Sequence, residues 1–244
     1  MSDMNILILA GLAGLATLVG VILGSLLKKT KKNIIFSASF AASLMILIAA
    51  VELIPVAFRE LGLKGLFFWV MLGVFAIWLA NWIIPHLHSM KEIRSYQDRY
   101  LVRMSYLIAI GLVLHDFPEG FAMPSSFGHS ESLGFLVVVA AFIHNIPEGY
   151  ILTMSQSKTN GRNFCYEAAA FSVLATFSGA ILGVNLLARF PGLNPIFLSL
   201  AAGAMLFIAI HELLPESFGY KDIKTFSLGI GAAGLVYFAM RLLI

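Results

Sequence analysis

Two six-residue segments repeat one pattern of side chains: His115-Asp116-Phe117-Pro118-Glu119-Gly120 and His144-Asn145-Ile146-Pro147-Glu148-Gly149. Residues four apart on a helix share a face, so each segment sets an imidazole beside a carboxylate. The proline between them has no N–H and frees the carbonyl one turn earlier, that of Leu114 and of Ile143. At about 100° per residue, Glu119 falls angularly between His115 and Asp116, and Glu148 between His144 and Asn145. Two such faces turned toward each other make a pocket with two sides. The His side offers two imidazoles and two carboxylates, suited to Zn²⁺ and acceptable to Fe²⁺, Mn²⁺ or Co²⁺. The Asx side offers oxygen alone, with Asp116 adding a negative charge. Either glutamate can serve one side or bridge both.

The elements that must position these residues are membrane helices. Of 244 residues, 59% are hydrophobic and only 12% charged, against about 25% charged in an average soluble domain. Mean hydropathy is +0.90. At roughly 20 apolar residues per crossing, the chain divides into eight spans, about 5–27, 34–58, 65–84, 102–124, 132–156, 166–189, 194–218 and 223–243. A cytoplasmic loop at about 85–101 is the longest polar connection, and the whole chain reads as one transmembrane domain. The N-terminus has no basic segment ahead of its first apolar run, so 5–27 reads as a retained span. The single cysteine, Cys165, excludes an intramolecular disulfide and a Cys-based zinc site. A net charge of +3 in such a chain gives no reason to expect a nucleic-acid partner. His115, Asp116, Glu119, His144 and Glu148 all fall well inside their spans. Each costs roughly 2.5–3.5 kcal/mol there on the insertion scale.

Lysine and arginine orient the spans. With the N-terminus outside, twelve of the sixteen, among them Lys28, Lys29, Lys31, Lys32, Arg94 and Arg103, face the cytoplasm. Arg59, Lys64, Arg189 and Arg241 face outward, so both termini are expected on the outer side of the membrane. The chain also repeats: a shift of 160 residues lays Ala41–Phe58 on Ala201–Phe218 with nine of eighteen positions identical, including Glu52 on Glu212 and Pro55 on Pro215. The paired spans cross in opposite directions, as do spans 4 and 5. That predicts an all-α membrane fold with an inverted 3+2+3 repeat.

Other ionisable residues are secondary or pathway candidates. Glu52, His211, Glu212 and Glu216 could make an entrance or exit relay, a proton site or an interhelical hydrogen bond. His86 and His88, at the start of the 85–101 loop, either collect metal at the exit or are simply solvated. His129 reads as exposed in an outer loop.

With these motifs in eight spans, the chain resembles the ZIP (Zrt/Irt-like protein) family of divalent-metal transporters, in its short bacterial, ZupT-like branch. The resemblance implies a transport site at His115, Asp116, Glu119, His144, Asn145 and Glu148, often binuclear. It also implies uptake into the cytoplasm by alternating access, and a homodimer in the bilayer. The metal, zinc first and iron, manganese, cobalt or cadmium after it, is cargo; no resident cofactor is expected. Two positions depart from the family pattern. Asp116 stands where Asn is usual, and Thr176 and Phe177 stand where span 6 commonly carries Glu-Pro, so one second-site ligand is missing. The rival readings are a metal-gated channel or sensor, a cation exporter and an intramembrane metallohydrolase. The enzyme reading lacks the H-E-x-x-H pair of zinc proteases, since Leu213, Leu214 and Pro215 follow His211-Glu212. The exporter reading would bring six spans, H-x-x-x-D motifs and a soluble C-terminal domain. The chain reads as a transporter, not an enzyme.

Overall fold

Inside a bilayer every backbone N–H and C=O must be satisfied within the protein, which leaves helices and closed barrels as spanning structures. The computed structural model describes residues 1–27, 30–83, 96–154 and 161–244, and among them every regular element is helical. His86 and His88 lie outside the described residues, as does most of the 85–101 loop. The elements are α1 (Asp3–Leu26), α2 (Lys31–Leu47), α3 (Ile54–Ile83), α4 (Tyr96–His129), α5 (Glu131–Met154), α6 (Gly161–Arg189), α7 (Asn194–Ile208), α8 (Leu214–Phe218) and α9 (Ile223–Leu243). Short π turns join α2 to α3 (Ile48–Leu53) and α7 to α8 (Ala209–Leu213). Six described helical stretches are long and apolar enough to cross a membrane: Asp3–Leu26, Lys31–Ala80, Glu131–Thr153, Asn163–Arg189, Pro191–Leu213 and Ile223–Leu243.

The protein is a membrane protein built inside out. On α1, Ala10, Ala13, Gly14, Thr17, Gly20 and Gly24 are buried, while Ile8, Leu12, Leu15, Val19 and Ile22 are exposed. With lipid as solvent, large aliphatic side chains gain nothing by turning inward, and small ones let backbones meet. Three reciprocal glycine contacts exploit this. A Cβ on Gly20 would lie 2.1 Å from the Ile146 carbonyl oxygen and one on Gly149 would lie 2.0 Å from that of Thr17, joining α1 to α5. Gly120 and Gly179 do the same between α4 and α6, at 1.9 Å from the Thr176 oxygen and 2.2 Å from that of Phe117. Gly73 and Gly203 do so between α3 and α7. No larger residue fits any of these six positions without the helices parting.

A proline stands two residues after each π turn. The N–H of Ile54, just before Pro55, bonds to the carbonyl of Ala49, and that of Leu214, just before Pro215, bonds to Ala209, each five residues back. Lacking an N–H, each proline leaves the preceding turn free to widen. Pro118, Pro124 and Pro147 are accommodated inside α4 and α5 instead. In α3, Gly62 has φ 65° and ψ 177°, a backbone shape open essentially to glycine alone, and it breaks the helix between Leu61 and Leu63.

Candidate metal centre

The two repeated segments meet. α4 carries His115, Asp116 and Glu119, and α5 carries His144, Asn145 and Glu148; all six are buried, none more than 4% exposed. The Nε2 atom of His115 lies 3.6 Å from Glu119 Oε2 and 3.5 Å from Glu148 Oε2. His144 Nε2 lies 3.2 Å from Glu119 Oε1, so Glu119 reaches both imidazoles. The two rings are 5.9 Å apart, centroid to centroid, and inclined at 51°. Potential ligand atoms fall into two triads that share His115. One is His115, His144 and Glu148; the other is His115, Asp116 and Glu119, each within 4.8 Å.

Twelve buried side-chain polar atoms among the described residues have no hydrogen-bond partner, and ten belong to these six residues. They are both nitrogens of His115 and His144, both carboxylate oxygens of Glu119 and Glu148, Asp116 Oδ1 and Asn145 Oδ1. Buried polar groups are ordinarily satisfied, and each orphan costs about 1–3 kcal/mol. The spacings fit an ion. Two ligands held about 2.0–2.1 Å from a tetrahedral metal stand roughly 3.3 Å apart, close to the three shortest contacts here.

The remaining polar atoms of the Asx side are tied to neighbouring helices. Asn145 Nδ2 donates to the Ala13 carbonyl at 3.2 Å, and the Ser172 hydroxyl donates to Asp116 Oδ2. Thr176 is fully buried and donates to the Ser172 carbonyl at 3.2 Å. Ser172 and Thr17, whose Oγ1 lies 3.3 Å from Ser172 Oγ, are the residues that sequence reasoning passed over. A signal was present: Ser172 lies seven residues before Gly179, on the α6 face packed against α4, and Thr17 lies between Gly14 and Gly20 on the small-residue stripe of α1.

Of the secondary candidates, Glu52, His211, Glu212 and Glu216 belong to neither triad. Glu52, in the first π turn, accepts from the Tyr237 hydroxyl and lies 3.2 Å from Arg241 Nε. It borders a cavity of about 200 Å³ lined also by Arg59, His129 and Ser132. Glu212 lies over α4: a Cβ on Gly111, one turn before His115, would come within 2.9 Å of its Oε2. His211 is exposed and stacks on Phe207 at 4.8 Å. Glu216 falls in α8. His129 is 3.8 Å from Glu60.

A helical membrane bundle with an unsatisfied His/carboxylate pocket at its centre is the architecture of a protein that handles divalent metal. Comparison with known proteins gives that class a family. The profile of the ZIP zinc transporter family matches residues 85–239. The zinc transporter ZupT of Enterobacter sp. (strain 638) is 34% identical over 221 residues, which cover 86% of this chain and 85% of that protein. The zinc transporters ZupT of Escherichia coli O7:K1 and of Shigella flexneri are each 33% identical over the same coverage. The chain belongs to the ZIP family.

Proposed function

We propose that this protein carries divalent transition-metal ions, zinc foremost, across the cell membrane into the cytoplasm, and that His115, Asp116, Glu119, His144, Asn145 and Glu148 hold the ion in transit. The observation that carries the reading is the set of ten orphaned atoms, among which three imidazole–carboxylate pairs lie 3.2, 3.5 and 3.6 Å apart. Family membership supports it, because the relatives are named zinc transporters. Iron, manganese, cobalt and cadmium are the competing cargoes, since the same imidazole and carboxylate set accepts them.

Eight crossings with both termini outside complete the proposal. Lys31–Ala80 is 50 residues long, about 75 Å of helix, and a hydrocarbon core is about 30 Å thick. It therefore serves as two crossings that part at Gly62. The inverted 3+2+3 repeat finds support in the two π turns, which stand about 160 residues apart, each followed two residues later by a proline. It finds further support in the glycine pairs, since α1 on α5 is the repeat mate of α6 on α4. Backbone-to-backbone glycine contacts tie α1 to α5 and α4 to α6 in one group, and α3 to α7 in another. We take the first group to move with its metal against the second, giving alternating access. A homodimer is the assembly the family resemblance implies.

Radiometal uptake into oriented proteoliposomes tests this. Uptake of Zn²⁺ should saturate, compete with Fe²⁺, Mn²⁺ and Cd²⁺, and vanish in Glu119→Ala and in Glu148→Ala. Normal transport by both variants would refute the site, and metal binding without saturable uptake would point to a sensor.

A further inference from the structure

Asp116 differs from the two glutamates of the pocket. Glu119 and Glu148 keep both oxygens free, whereas Asp116 keeps only Oδ1. Its Oδ2 accepts from Ser172, and Asp116, Ser172, Thr17 and Thr176 are all fully buried. A serine hydroxyl has one proton. That proton is committed to the carboxylate, and the Ser172 hydroxyl oxygen also lies 3.3 Å from Thr17 Oγ1, which packs it from the α1 side. The Thr176 proton goes to the Ser172 backbone carbonyl, so Thr176 does not compete for Asp116. The helix spacing that permits this is held by Gly120 and Gly179. At this point α6 presents a hydrogen-bond donor to the pocket.

We infer that Ser172 is a positioning residue that sets the metal preference of the transport site, by holding one oxygen of Asp116 and leaving the other as a single ligand. Zn²⁺ is satisfied by four ligands that include imidazoles. Mn²⁺ prefers an oxygen-rich shell with more members. Restricting Asp116 to one oxygen therefore favours zinc, and releasing the second oxygen favours manganese. The inference rests on the six-residue centre being the transport site.

The experiment is radiozinc uptake into proteoliposomes under Mn²⁺ competition, for wild type, Ser172→Ala and Ser172→Thr. The readout is the ratio of the Mn²⁺ concentration that halves zinc uptake to the zinc concentration supplied, from which the amount of folded protein cancels. It should fall about fivefold or more in Ser172→Ala and return toward wild type in Ser172→Thr, which keeps the hydroxyl. Where Ser172→Ala supports too little uptake, equilibrium dialysis of radiozinc against Mn²⁺ in detergent reads the same ratio. A merely structural serine would lower total uptake and leave the ratio unmoved, and that result would overturn the inference. Glu119→Ala in the same vesicles separates the two failures. If it retains uptake, the site itself is wrong. If it loses uptake while Ser172→Ala keeps the wild-type ratio, only the role of Ser172 falls.

Discussion

Glu52 and Glu119 are both carboxylates withdrawn from water in one helical bundle, and their surroundings complete them in opposite ways. Glu52 accepts from the Tyr237 hydroxyl and pairs with Arg241 at 3.2 Å, so the first π turn is tied to α9. Glu119 faces His115 and His144 with neither oxygen hydrogen-bonded. A partnered carboxylate spends its interactions on the fold; an unpartnered one withholds them for something that arrives. Burial alone does not distinguish the two carboxylates. On the proposed reading, burial without a hydrogen bond does.

The largest expected effect separates the two. Glu119→Gln should cut zinc uptake by at least about a hundredfold, since even indirect supports of a metal site cost 10–100-fold. In metal-free detergent its thermal stability should equal or exceed wild type, because a neutral amide replaces an unsatisfied charge. Glu52→Gln should do the reverse. It should lose roughly 1–3 kcal/mol of stability, toward the lower end because Arg241 is more than half exposed, with uptake within about threefold of wild type. Uptake assays and thermal melts on both variants check this. If Glu52→Gln abolished uptake while melting normally, the partnered carboxylate would belong to the transport path and the contrast would collapse.

A second, smaller effect concerns the close packing that the site demands and the periphery does not. Gly120 follows Glu119, and a Cβ there would sit 1.9 Å from the Thr176 oxygen, whereas a Cβ on Gly231 in α9 would meet nothing within 4 Å. Gly120→Ala should therefore destabilise by about 1–3 kcal/mol and lower uptake as α4 and α6 part around Asp116 and Ser172. Gly231→Ala should be neutral or stabilising by up to about 1 kcal/mol. Equal melting temperatures for the two variants would mean that the α4–α6 approach is not under constraint.

Much of this was legible in the sequence. The H-x-x-P-E-G pair announced the pocket because a four-residue spacing has one meaning on a helix, and the meeting of α4 and α5 follows from their shared chemistry. The alignment of Glu52 with Glu212 was legible as well, yet it did not separate their environments. Tyr237 and Arg241, which occupy Glu52, lie 185 and 189 residues further on in a different helix, and no local spacing reports that contact. Ser172 escaped for the same reason. Its partner is 56 residues away on α4, and a lone serine in an apolar helix looks like any other small residue that eases packing. The π turns were half legible: Pro55 and Pro215 signal a disturbed turn, but not whether the helix breaks, kinks or widens. Gly62 looked like one small residue among many, and only its positive φ shows the chain turning there.

A third carboxylate sets the lower end of the scale. Asp222 is half-buried at the N-terminus of α9, accepting from the Thr225 backbone N–H at 3.1 Å and from the Thr225 hydroxyl at 2.8 Å. The Thr225 N–H holds its carboxyl below the ordinary aspartate value of 3.8, and the Thr225 hydroxyl adds to that. Folded, Asp222 binds its proton less readily than unfolded, so its stabilising effect is complete above the ordinary value and fades as pH falls through the lowered one. Thermal melts of wild type and Asp222→Ala in detergent should differ by a small, constant interval from neutral pH down to about pH 4. The interval should close below that. Uptake should be unchanged, because the cap lies outside the membrane-spanning stretch Ile223–Leu243. If the interval closed near neutral pH instead, a titrating group other than Asp222 would govern this end of α9. Partnered carboxylates would then no longer be purely structural in this protein, and the contrast between Glu52 and Glu119 would have to be redrawn in terms of where each one titrates.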